Sequence, residues 1–145
     1  MAVTQSGDHV TPIDGVELLR RRPEMFLPDG EFSPPEVASR IVRGALLSGA
    51  RAVCAERLAR DWWCVWSDDD WFPDGDDVSV FEKVLPFTEA GPNSMRPEVL
   101  LTAFASHVVT WTPKGVRVIN GTLDQEFVSF VTSRTGTGRV VAFRT

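Results

Sequence analysis

The chain has 145 residues, 43% of them apolar and 24% charged, with a formal net charge of −5. That length and balance suit one globular domain with a sizeable core. They argue against a general nucleic-acid binder, which needs a basic face, and no apolar run approaches the roughly 20 residues of a membrane span.

No signal-peptide pattern opens the sequence, so a cytosolic protein is expected. Residues 1–12 mix Gly, Asp, Thr, Gln and Pro without periodicity and read as a flexible arm ahead of a single domain over 13–145. In the stretch GVELLRRRPEMFLPD, Val16, Leu18 and Leu19 make a small apolar face, and Pro23 stops the helix because it lacks an N–H. Met25, Phe26 and Leu27 then read as a short buried segment before the Pro28-Asp29-Gly30 turn. The arginines at 20 to 22 read as a solvated helix end or, through Arg20 and Arg22, as a partner contact.

Ser33-Pro34-Pro35-Glu36 predicts a helix start, with Ser33 as cap and prolines in the first turn. The helix is expected to run to about Gly49, with Val37, Ile41, Ala45 and Leu46 facing the core and Arg40, Arg43 and Ser48 facing away. Residues 51–57 and 62–67 predict two strands around a turn near Ala59 to Asp61, and Trp62, Trp63 and Trp66 supply core. Cys54 and Cys64 would face each other if residues 58–60 turned between those strands. Reduced thiols are the plainer reading, and their number and spacing suit neither zinc nor a CxxC motif.

Asp68-Asp69-Asp70 and the loop Asp74-Gly75-Asp76-Asp77 read as solvated turns, because the spacing of a calcium loop is missing. A short helix is expected within Val78–Phe87, a loop at Gly91-Pro92-Asn93-Ser94, and a helix from Arg96-Pro97-Glu98 that buries Val99, Leu100, Ala103 and Phe104. His107–Thr112 and Gly115–Ile119 predict strands. Asn120-Gly121 predicts a type I′ hairpin into a strand over Thr122–Val131, and Gly138–Arg144 a last strand. The fold class is therefore an α/β (α+β) two-layer sandwich with helices on a mainly antiparallel sheet. His9 and His107 lie in no spacing that suggests Ser/His/Asp catalysis.

Gly15, Glu17, Leu19, Arg20, Arg22, Pro23, Met25, Phe26, Leu27 and Asp29 fit the pattern G-x-E-x-[VL]-R-x-R-P-x-M-[YF]-[IL]-x-D. In this the chain resembles the entry segment of the gyrase B/topoisomerase IV ATPase domain. Thr102-Ala103-Phe104-Ala105-Ser106, Gln125 with Phe127, and Thr135-Gly136-Thr137-Gly138 before Val140, Val141 and Phe143 resemble later elements of that family in the same order. The resemblance implies a compact GHKL, or Bergerat-type, fold that binds ATP and magnesium, and an N-terminal arm that reaches a partner subunit.

The family's catalytic helix carries a Glu-x-x-x-Asn pair, the base that activates water and a magnesium ligand. Alignment on apolar periodicity puts Arg40 and Gly44 there; alignment on Gly49 puts Val37 and Ile41 there. Neither register supplies a carboxylate or an amide. Arginine accepts no proton at neutral pH and repels magnesium. Losing a general base costs about 10²–10⁴ in rate. The adenine-reading aspartate falls on Asp68, or on Ser67 after a one-residue shift, without the family's glycines, and Trp71 or Phe72 would fill space adenine needs. The phosphate lid is reduced to Ala90-Gly91-Pro92-Asn93-Ser94.

The expected function is a catalytically inactive GHKL domain without cofactor. It would serve as a protein-interaction or regulatory module, through self-association or a protein partner contacted by Arg20, Arg22, Trp71 and Phe72. The rival is a residual ATP-binding protein or weak ATPase using Asp68. A third reading is a tryptophan-lined pocket for a small ligand where adenine would sit.

Overall fold

The computed structural model describes residues 14–73, 78–122, 125, 128–129 and 138–145. The predicted arm, the Asp74-Gly75-Asp76-Asp77 loop, Phe127 and the Thr135-Gly136-Thr137 element lie outside the described residues.

Helix α1 (Gly15–Arg21) starts at Asp14, whose carboxylate accepts the Val16 N–H at 2.8 Å. Two 3₁₀ turns follow, Pro23–Met25 and Pro28–Gly30. The expected buried Met-Phe-Leu segment splits: Leu27 is buried, Phe26 packs partly against the core, and Met25 is 63% exposed. A 3₁₀ turn rotates successive side chains by about a third of a turn, so three neighbours cannot share one face.

Helix α2 (Pro34–Leu47) begins with proline at its first position, where the missing N–H costs nothing, although the Ser33 side chain makes no capping bond. Its core face is Val37, Ala38, Ile41, Gly44 and Ala45. Leu46, expected inside, is exposed and lies in the last turn of the helix, which ends at Leu47.

Strands β1 (Cys54–Arg57) and β2 (Trp63–Ser67) flank a 3₁₀ turn at Ala59–Asp61. The register pairs Cys54 with Trp66 and Glu56 with Cys64, so the cysteines are not opposed. Cys54 is exposed, Cys64 buried, and both are free thiols. Helices α3 (Ser79–Glu82) and α4 (Glu98–Phe104) precede β3 (His107–Thr112) and β4 (Gly115–Asn120).

The hairpin turn lies at 113–114, between β3 and β4, rather than at Asn120-Gly121. Gly121 does take a positive φ of 76°, but the Asn120 amide donates to the Thr102 and Ala105 carbonyls, tying the strand end to α4. Gln125, Val128 and Ser129 are helical, against the predicted strand.

Strand β5 (Arg139–Arg144) enters the middle of the sheet, giving the order β1-β2-β5-β3-β4 with every pairing antiparallel. The α+β two-layer sandwich expected from the pattern is thus the observed architecture. Strand alternation divides the apolar residues between the faces. Val65, Val108, Val141 and Phe143 meet the helices, and Trp62, Cys64, Val109, Val140 and Ala142 form a second cluster on the opposite face. Among the described residues no helix is long and apolar enough to cross a membrane.

Candidate functional site

A cleft of about 560 Å³ opens beside α2, within the range of ligand sites. One wall is the outward face of α2, with Arg40, Arg43, Gly44 and Leu47; Met25 and Phe26 close one end, and the 84–97 segment forms the other wall. That segment doubles back on itself: Pro86 bridges to Met95, the Phe87 N–H donates to the Ser94 carbonyl at 2.8 Å, and the Arg96 N–H donates to Leu85. Its Phe87 ring packs on the helix at Gly44, where an added Cβ would sit 3.4 Å from the ring edge. Arg96 stacks over the outer face of the same ring, 4.6 Å from its centroid.

The charged side chains of the described lining are Arg40 and Arg43. Arg40 donates to the Phe26 carbonyl at 2.9 Å and lies 3.8 Å from the Glu36 carboxylate, and these two contacts orient its guanidinium. Arg43 is exposed and makes no hydrogen bond or ion pair among the described residues. The described lining holds no carboxylate, imidazole or thiol to act as a proton acceptor near neutral pH, and its side-chain oxygens are those of Asn93 and Ser94.

Of the two helix registers, the structure turns Arg40 and Gly44 toward the cleft, while Val37 and Ile41 are fully buried in the core. Ala90, Pro92, Asn93 and Ser94, the stretch aligned with a lid, line the opposite wall.

The other residues singled out from sequence lie elsewhere. Ser67 is buried and its hydroxyl accepts the Asp69 N–H at 3.0 Å; Asp68 is exposed and forms no part of the cleft. Gly138 crosses so closely that a Cβ there would overlap the Ser67 and Asp68 backbone. The neighbouring acids are not a solvated run. Asp69 binds Arg51 through its Oδ1 at 2.9 Å, and that guanidinium, with the Arg51 N–H, holds the Asp69 carboxyl below its usual range. Asp70 takes both arms of Arg139 at 2.9 and 2.8 Å.

Trp71 and Phe72, expected on a partner surface, are 3% and 5% exposed. Their burial follows from Arg139, which is fully enclosed. It donates to Asp70 and to the Thr110 hydroxyl at 3.0 Å, and stacks over the Phe72 ring at 3.8 Å. The Trp71 indole N–H donates to Glu98 Oε2 at 3.0 Å, while Glu98 Oε1 is buried without a partner, and burial pushes the Glu98 carboxyl above its usual range.

Arg20 also serves the fold, donating to the Ala103 and Thr102 carbonyls at the end of α4; Arg22 pairs with Glu24 at the surface. No tryptophan is among the described residues that line the cleft. His107 sits in a ring of contacts with the Ser106 hydroxyl (2.8 Å) and Arg144 (3.4 Å), while that hydroxyl also donates to the Arg144 carbonyl. That geometry ties β3 to β5 and points the serine hydroxyl's proton at the Arg144 carbonyl.

These features define an α+β domain with a cationic, apolar-walled cleft beside its longest described helix. No family model, no curated protein and no solved structure matches the chain.

Proposed function

We propose that this chain is a GHKL-like domain that has lost nucleotide chemistry and works in the cytosol as a protein-interaction or regulatory module. The observation that carries this reading is the identity of the side chains on the cleft wall. Where the resembled family needs a glutamate base and an asparagine metal ligand, α2 presents Arg40 and Gly44. A permanently charged guanidinium takes up no proton from water and ligates no metal ion, so it supplies neither role. Gly44 has a packing reason of its own, the seating of Phe87. Asp68, on which a residual ATPase would depend, stands outside the cleft.

The test pairs phosphate-release assays with calorimetric titration of ATP and magnesium. The expected result is turnover at the level of the protein-free blank and no measurable heat of binding. Magnesium-dependent hydrolysis, or micromolar affinity for ATP, would overturn the proposal.

A further inference from the structure

Six large apolar side chains stand exposed among the described residues: Met25, Leu46, Leu47, Val84, Val116 and Val118. Three of them, Met25, Leu47 and Val84, line the cleft, and Leu46 adjoins Leu47 on α2. Exposed apolar residues scattered singly need no explanation, whereas several gathered around one concavity mark a docking surface. Met25 and Met95, both in the lining of this cleft, are unbranched and adapt to the shape of an apolar anchor. The described charges within it are Arg40 and Arg43, both cationic, on a chain whose net charge is −5.

We propose that this cleft docks an acidic segment of a protein partner, with apolar side chains seated against Met25, Leu47 and Val84 and carboxylates bound by Arg43 and Arg40. The proposal rests on the interaction-module reading and adds the chemistry of the partner. Charge complementarity selects the sign: a basic segment would meet Arg43, which has no ion-pair partner among the described residues, and Arg40, whose charge Glu36 offsets only in part from 3.8 Å. Arginine suits the task, because its planar fork meets a carboxylate with two parallel hydrogen bonds. Arg40 is already oriented by the Phe26 carbonyl, and Arg43 has its donors uncommitted among the described residues. A small anion would satisfy the arginines and leave the apolar rim at Leu46, Leu47 and Met25 in water. A peptide segment covers both.

The experiment selects random phage-displayed dodecapeptides on the full chain. Fluorescence anisotropy then measures the selected peptides against the wild type, Arg43→Glu and Met25→Ser. Both positions are exposed, and circular dichroism will confirm that the variants fold. The expected result is enrichment of peptides that combine Asp or Glu with large apolar residues. Their affinity should fall about tenfold or more in Arg43→Glu and weaken with added salt.

Selection of basic or neutral peptides, binding unchanged in both variants, or no enrichment over an unrelated control protein would overturn the assignment. So would self-association that Arg43→Glu abolishes, which gives the cleft to a second copy of this chain. None of these results touches the nucleotide titration, so the failure of the two proposals can be told apart.

Discussion

Replacing Asp70 by alanine tests the polar cluster on which the burial of Trp71 and Phe72 depends. Arg139 is buried completely and gives two guanidinium donors to Asp70, at 2.9 and 2.8 Å, and a third to Thr110. Removing one partner of a buried pair costs about 3–5 kcal/mol, because the remaining charge stays desolvated. The Asp70 side chain is 34% exposed, so water already screens part of this interaction and about 3 kcal/mol is the appropriate figure. Over 145 residues, an unfolding entropy of about 2.1 cal/mol/K per residue converts that loss into a fall in Tm of about 10 °C. Thermal melts read by near-ultraviolet circular dichroism, which reports the packing of the aromatic side chains, supply the assay. Asp69→Ala is the internal control, since it removes a carboxylate one position away whose partner Arg51 is 86% exposed. If Asp70→Ala melts no lower than Asp69→Ala, the Arg139 pair does not hold this corner of the core and the reasoning fails.

Glu98 titrates in the opposite sense from Asp69. Burial raises its carboxyl, so its contribution to stability is complete below the ordinary glutamate range and is lost as pH rises through the folded value. Urea midpoints of the wild type and Glu98→Gln should therefore differ more in favour of Gln at neutral pH than at pH 4, and a constant difference across that range would count against the buried charge. Asp69 is held low, so its contribution appears above the ordinary aspartate range and fades on acidification. Arg20→Ala should lower stability by about 1 kcal/mol by uncapping two carbonyls at the end of α4, as measured by chemical denaturation. Gly138→Ala should lower it by at least about 1–3 kcal/mol, because the new methyl overlaps the Ser67–Asp68 backbone where β5 enters the sheet; a wild-type melt would refute the close approach.

Local pattern carried the elements whose cause is local. Val37, Ile41 and Ala45 recur at helical spacing and lie on the core face of α2, and the β1–β2 hairpin and strands β3 and β5 lie close to where side-chain alternation predicts them. The failures have distant causes. Asn120-Gly121 reads as a hairpin, but the Asn120 amide bonds to α4 instead. Trp71 and Phe72 follow three aspartates and read as part of a partner surface; Arg139, 69 positions beyond Asp70, neutralises that aspartate and stacks on the phenylalanine. Arg20 reads as a solvated helix end, although its acceptors lie more than 80 positions away.

By itself, then, the sequence determined the α+β class, the helix that carries Arg40 and Gly44, and the lack of a carboxylate or amide at that pair, since each depends on residue identity and short-range spacing. Tertiary structure alone decided which register of α2 faces the cleft, which aspartates are engaged, and which apolar residues stay in water. Those outcomes depend on what the chain brings from far along its length, and periodicity carries no record of that.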